Sequence, residues 1–190
     1  MDPQLDTFEA SNELCCLPVV SFKSPCMNST TISNESILEA LQDVKDPEIP
    51  TVSLVDLGLI TKVDIKNEDE VHIDMIPTFS GCPALAVMQE GVQSRVEQMG
   101  VKNVTVNIDR SVVWSTNMIS ERGLKDIEKI GLSSPKRYCG ELNLEAPPAA
   151  ECSHCHSLKT VQVSPFGPTL CRAVYYCNDC EETFEQFKPL

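Results

Sequence analysis

Apolar positions change their spacing several times along this chain, and each change marks an element. Ile37, Leu38, Leu41 and Val44 recur at helical intervals, and Ser36-Ile-Leu-Glu39 offers a capping box at their start. Asp46-Pro47 stops that helix, because proline disfavours helical backbone in the residue before it. The segment DPEIPTVSLVDLG then reads as extended. From Leu59 to Lys66 and from Glu70 to Ile76 the pattern alternates, with Ile60, Lys62 and Asp64 set against Val71, Ile73 and Met75. Polar Asn67-Glu68-Asp69 joins the two runs into a hairpin. Helical spacing returns at Leu85, Met88, Val92, Val96 and Met99, with Pro83 suited to the first helical position and Gly100 to the end. Val104, Val106 and Ile108 alternate again, and a further helix is predicted around Ser120 to Ile130. Strand, helix, strand in that order predicts a right-handed crossover. The expected fold is α/β in the α+β sense, a small mixed sheet with helices on one face.

Two stretches lack this periodicity. Residues 1–33 carry Cys15, Cys16 and Cys26 without metal-ligand spacing and read as a flexible tail. Residues 135–151, with Pro135, Pro147, Pro148 and Ala149-Ala150, read as a linker. They leave a first domain over 34–134 and a small second one over 152–190. A hydrophobic content of 42% is ample for a core, and a net charge of −13 repels phosphate backbones. That balance argues for protein partners and against nucleic acid. Acidic residues stand near the start, where a secretory leader is basic, and no apolar run reaches the roughly eighteen residues of a membrane span. A cytoplasmic location is expected. In that reducing compartment the ten cysteines are metal ligands or reactive thiols rather than a disulfide framework.

The second domain changes the picture most. Cys152-Ser-His-Cys155 is followed after twenty-one residues by Cys177-Asn-Asp-Cys180. Each C-x-x-C turn aims two sulfurs at one centre, and two turns supply the tetrahedral thiolate set that zinc accepts. Ser164-Pro165-Phe166-Gly167-Pro168 is a turn between ribbon strands, the second expected from Cys171 to Tyr176. So short a domain cannot bury enough surface to fold alone, so structural Zn2+ is expected to order it. With four thiolates in place, His154 and His156 are left outside the ligand set. Lys159, Arg172 and Lys188 face Glu151, Asp179, Glu181, Glu182 and Glu185, so the ribbon has no basic stripe for nucleic acid. Tyr175, Tyr176, Phe184 and Phe187 then read as core and partner-contact residues. Cys171 is a spare thiol, either buried in the ribbon or a reactive partner for another sulfur.

A second sulfur of interest lies in Thr78-Phe79-Ser80-Gly81-Cys82-Pro83, between a predicted strand and a predicted helix. With Pro83 opening the helix, Cys82 takes the N-cap, where the helix dipole and free N–H groups favour a thiolate and lower its pKa. Thr78 and Ser80 are hydroxyls within reach of that sulfur. Asp46 and Glu48 stand on a rigid extended segment. They read either as part of a loop that stops a helix or as hard ligands beside a soft one, a mixture suited to transiently held iron. Asp56-Leu57-Gly58-Leu59 reads as a loop entering a strand.

The runs DPEIPTVSLVDLGLI, PTFSGCPAL and WSTNMISERGLKDI together resemble the metal–sulfur cluster assembly domain, a family of small α/β proteins that includes SufT. A ribbon with CSHC, SPFGPTLC and CNDCEETFEQFK behind that domain is similar to the accessory subunits of the phenylacetyl-CoA ring epoxidase system. The resemblance spans roughly residues 34–190. It implies an iron–sulfur cluster assembly or maturation factor with no turnover of its own, serving the epoxidase and in particular its iron–sulfur reductase. It implies a functional thiol at Cys82, an acidic motif at Asp46 and Glu48, metal binding at Cys152, Cys155, Cys177 and Cys180, and a role for Cys171. A transient iron or iron–sulfur cluster is the implied cargo, and homodimer formation is left open. The chain departs from the usual Cys-Pro-x-Cys knuckle, having Ser153 and His154 there. Two other functions compete: a scaffold subunit of the oxygenase complex, and a thiol oxidoreductase pairing Cys82 with Cys171.

Overall fold

A computed structural model of the chain describes residues 32–137 and 149–188. The tail expected over 1–33, with its three cysteines, lies almost wholly outside the described residues, as does most of the expected linker. The first half contains α1 (Asn34–Ala40), β1 (Ile60–Asn67), β2 (Glu70–Met75), α2 (Leu85–Glu97), β3 (Asn103–Ile108) and α3 (Glu121–Glu128). The second half is a ribbon of β4 (Thr160–Ser164), β5 (Arg172–Cys177) and β6 (Thr183–Phe187). Among the described residues no helix is long and apolar enough to cross a membrane.

The first sheet has the order β1-β2-β3, with β1 and β2 antiparallel and β2 and β3 parallel. It is therefore the mixed sheet that the pattern predicts, and α2 is the crossover. In register, Val71 pairs with Val104, Ile73 with Val106 and Met75 with Ile108. Val71, Ile73 and Met75 are fully buried in one core with Ile37 and Leu41 from the first helical turns and Met88, Val92 and Val96 from α2. The helical stripe and the strand alternation thus meet on one face.

Two helix starts differ from expectation. The capping box of α1 is made by Ser33 and Ser36, each side chain bonded to the other's backbone N–H at 3.1 and 2.9 Å, and Glu39 has no part in it. A hydroxyl at the third position replaces the expected carboxylate. Pro83 lies two residues ahead of α2, whose N-cap is Ala84 in helical backbone without a side-chain cap.

The loop between α1 and β1 is held from below. Asp56, 4% exposed, accepts from Ser53 Oγ at 2.8 Å, Ser120 Oγ at 2.6 Å and Arg122 Nε at 2.9 Å. Trp114 Nε1 donates to Leu57 O at 2.8 Å. Gly58 has φ +71°, and a Cβ there would stand 2.6 Å from Met118 O, so only glycine fits the approach. These bonds tie residues 53–58 to residues 114–123.

The ribbon sheet has the order β4-β5-β6, antiparallel throughout. Its own core is small: Ala173, Tyr175 and Phe184 around the buried Cys152 and Cys177, with Tyr175 and Phe184 stacked at 5.7 Å. Phe187 does not join it. At 1% exposure it enters the first core, edge-on to Trp114 at 5.8 Å. Ser133 pairs alongside β6, donating to Glu185 O at 2.8 Å and accepting from Phe187 N at 3.1 Å. The two halves therefore share a core residue and a backbone ladder.

A four-cysteine centre and a cavity between the two halves

Each knuckle of the ribbon is built by the same backbone bonds. Cys152 N donates to Ser157 O and His156 N to Cys152 O, both at 2.9 Å; Cys177 N donates to Glu182 O and Glu181 N to Cys177 O, again at 2.9 Å. The residue after the second cysteine is left-handed in both knuckles, His156 at φ 60° and Glu181 at φ 62°. That turn folds the chain back and brings the sulfurs together. Cys152 and Cys180 sulfurs stand 3.7 Å apart and those of Cys155 and Cys177 3.5 Å apart, and all four lie within 4.8 Å of one another. Thiolates about 2.3 Å from a central metal span tetrahedron edges of about 3.8 Å. The set has the size and the donors for one four-coordinate metal ion.

The knuckle thiols differ in their electrostatics. N–H groups of Cys180 and Asp179 hold the Cys177 thiol down to about 6. Against the N–H of Glu182, burial and the neighbouring sulfurs push Cys180 up to about 12. A metal ion takes such sulfurs as thiolates, so binding there releases protons. The His154 backbone N–H donates to Cys152 Sγ at 3.4 Å and the His156 ring faces Glu151 at 3.1 Å, and among the described residues the clustered donor group holds the four cysteines and neither histidine.

The other cysteines meet at a second place. A cavity of about 180 Å³ is lined by Asp46 and Glu48 from the first loop, Thr78 and Cys82 from the loop before α2, and Thr169 and Cys171 from the ribbon. Asp46, Glu48, Thr78, Cys82 and Cys171 stand on three separate segments of the sequence, and the fold brings them around one space. Ser80 is exposed and does not line it. The loop from 79 to 84 turns the Ser80 hydroxyl outward while Cys82 N bonds Phe79 O at 3.0 Å.

Each acidic group is fixed by its surroundings. Asp46 Oδ1 accepts from the N–H of Glu48 at 2.7 Å and of Ile49 at 3.0 Å, which rigidifies the Asp-Pro-Glu turn. Glu48 accepts from the Cys171 thiol at 3.6 Å, and Thr169 Oγ1 lies 3.1 Å from the same sulfur. Arg172 clamps the halves together, with one Nη on Glu48 O and the other on Glu185 at 3.1 Å. In the sequence Arg172 counts only as a ribbon charge, and nothing singles out Thr169. Their one signal is membership of the SPFGPTLC run and the residue following it.

Cys82 corrects an expectation. The sequence places it at the helix N-cap with a lowered pKa, but the N-cap of α2 is Ala84, two residues further on, and the Cys82 thiol rises instead. Burial is the largest cause, and the carboxylates of Asp46 and Glu48 push the same way, outweighing the N–H groups of Ala84 and Leu85. Cys171 is raised by burial and by the same two carboxylates, against Thr169. Asp46 is raised by burial and Glu48 in spite of its two backbone bonds and Arg172. The cavity is thus a place where negative charge is crowded.

Comparison with known proteins follows this division. Residues 34–108 match the iron–sulfur cluster assembly protein family, and residues 138–188 match the PaaD zinc beta ribbon domain. Over 148 residues the chain is 32% identical to a putative 1,2-phenylacetyl-CoA epoxidase component of Escherichia coli K12, covering 78% of this chain and 88% of that protein. The chain belongs to the PaaD family. Its first half alone is similar to the Fe-S protein maturation auxiliary factor YitW of Bacillus subtilis 168, 33% identical over 45% of this chain and 84% of that protein. It is likewise similar to the Fe-S protein maturation auxiliary factor SufT of Staphylococcus aureus USA300, 32% identical over 40% of this chain and 88% of that protein. The assembly match takes in Asp46, Glu48, Thr78 and Cys82, while the ribbon match takes in Cys171 and all four knuckle cysteines. This PaaD-type chain thus carries both walls of the cavity.

Proposed function

We propose that this protein is an accessory factor that matures an iron–sulfur cluster of the phenylacetyl-CoA ring 1,2-epoxidase, with the epoxidase's iron–sulfur reductase as its client. The supporting observation is the cavity, where the cysteine of an assembly-type domain faces two carboxylates and a second thiol. Soft sulfur beside hard oxygen suits iron held for delivery, because neither donor type alone binds it irreversibly. Cys82 is the thiol that carries the cargo, Asp46 and Glu48 offset its charge, and Thr78 contributes a hydroxyl to the same wall. No general base is needed, since the step is metal exchange between sulfurs.

The four cysteines of the ribbon hold Zn2+, which contributes folding free energy rather than chemistry. The site is closed by four thiolates and leaves no open position. With an acidic chain around it, the ribbon serves protein contacts in the epoxidase assembly. The experiment is anaerobic metal and sulfide analysis of the purified protein and of Cys82→Ser, followed by the activity of epoxidase matured with each. Epoxidase matured with Cys82→Ser is expected to be poorly active while zinc stays at one per chain. Equal activity with both proteins contradicts the maturation role and favours a scaffold role.

A further inference from the structure

β4 is an edge strand. Among the described residues nothing pairs along its outer side, since the ribbon sheet runs β4-β5-β6 and neither isolated bridge involves it. Asn178 N bonds Lys159 O at 2.9 Å, and hydrogen-bonded pairs alternate along an antiparallel ladder. Val161 therefore directs its backbone groups to Tyr176, its partner in register, and Gln162 turns its N–H and C=O outward. The side chains are as open as the backbone. Val161 is 50% exposed and Val163 62%, flanked by Leu158 at 52% and Phe166 at 59%.

Edge strands of natural proteins are commonly guarded by charge, and this one is not. Between Glu151 and Asp179 the sequence has no acidic residue, in a chain with 28 Asp and Glu. The lysine and the arginine of that stretch are already paired, Lys159 with Asp179 at 3.0 Å and Arg172 with Glu185 at 3.1 Å. An apolar edge without free charge is matched by another of the same kind, and the order of residues supplies it. Thr160-Val-Gln-Val-Ser164 reads nearly the same in both directions. Two copies laid antiparallel about Gln162 put Val161 opposite Val163 and Leu158 opposite Phe166. All four exposed apolar residues between 158 and 166 thus meet another.

We propose that two copies of this chain associate through β4, antiparallel across a two-fold axis at Gln162. At the axis the Gln162 N–H of each copy donates to the Gln162 C=O of the other. The β4–β5 register shifts between Gln162 and Ser164, so the shared ladder is confined to the middle of the strand and the apolar side chains carry most of the contact. Ser164 fixes the last of them, its hydroxyl donating to Phe166 O at 2.7 Å and accepting from Phe166 N at 3.2 Å. The inference stands apart from the maturation reading and uses none of the residues assigned to it. So small an interface falls below about 1,200 Å² of buried surface, in the range of weak contacts, and a Kd on the order of 10 µM is expected.

The test is sedimentation equilibrium of the full-length, zinc-loaded protein under reductant, at concentrations well below and well above that Kd. The mass is expected to rise from one chain to two. Val163→Lys, at a site open to solvent, is expected to keep the fold and to weaken association at least tenfold, because the axis sets a lysine of each copy against an apolar side chain of the other. Val113→Lys in the first half, at a residue 84% exposed, is the control and should leave the mass curve unchanged. Raising salt is expected to strengthen the pair, since each copy carries a net charge of −13. Amide exchange of the unmodified protein gives a readout without a variant: the Gln162 N–H should slow at high concentration while those of β2 do not change. A single-chain mass at every concentration, with Gln162 exchange unaltered, overturns the proposal. So does a pair that Val163→Lys leaves intact, which puts the contact elsewhere. A wild-type protein that stays single, with epoxidase maturation lost in Val163→Lys, overturns it as well and gives the edge to another protein.

Discussion

Single residues set the geometry of both sites, and Asp56 is the clearest case. A buried carboxylate with bonds from Ser53, Ser120 and Arg122 holds the loop that carries Asp46 and Glu48. Breaking such a hub by Asp56→Ala leaves its donors unpaired and is expected to cost about 3 kcal/mol, read from the shift of a urea midpoint at constant slope. Burial pushes the Asp56 carboxyl up, but the bonds from Ser120, Arg122 and Ser53 win and hold it below the usual carboxylate range. A lowered folded pKa means stability that is present above the unfolded value and lost as pH falls through the folded one. The gap between wild type and Asp56→Asn is therefore expected to be full at neutral pH and to shrink through and below pH of about 4. A gap that does not change on acidification contradicts that account. Glu181 is the opposite case, a side chain at positive φ where glycine is unstrained. Glu181→Gly is expected to raise metal-loaded stability by about 0.5–1 kcal/mol, measured by thermal unfolding.

At the scale of elements, β5 links the two sites. Cys177 at one end belongs to the four-cysteine cluster, and Arg172 at the other clamps Glu48, with Cys171 just beyond. Six residues of strand make a span of about 20 Å. Withdrawing the metal with a chelator is expected to free β5 and raise the alkylation rate of Cys171 at least tenfold, scored by mass spectrometry; an unchanged rate would mean that the first core alone fixes that wall. Phe187 at the end of β6 is the other link, and Phe187→Ala is expected to cost about 3–5 kcal/mol and to speed amide exchange at Ser133. β2, α2 and β3 were legible because their apolar residues keep one period throughout, and the knuckles because C-x-x-C spacing is itself the geometry; β1 is less regular, its pairing with β2 shifting register between Ile60 and Lys62 and between Ile65 and Asn67. β6 was not legible. In Thr183–Phe187 the buried residues are Phe184, Gln186 and Phe187, so the alternation breaks where Phe187 turns from the ribbon into the first core. The loop 53–58 reads locally only as a strand entry, since nothing nearby shows that Asp56 meets Ser120 and Arg122 more than sixty residues on. Cys82 stands between strand and helix as its neighbours imply, but its pKa is raised first by burial and then by carboxylates thirty-six and thirty-four positions earlier, which local pattern does not reveal.

At the scale of the whole molecule, the structure is two small units that complete one another. The ribbon has a slight core of its own, while its last strand and Arg172 fasten it to a unit with a larger core. Their junction encloses thiols and carboxylates in a chain of net charge −13, a setting suited to a cation and to a protein client. The central claim is that this junction delivers iron to the epoxidase's reductase. The most direct measurement is the iron and acid-labile sulfide content of that reductase, purified from cells that lack their own copy of this protein and supplied with wild type, Cys82→Ser or nothing. The account predicts full cluster occupancy with wild type and equal, low occupancy with Cys82→Ser and with the empty control. Full occupancy in all three would contradict it.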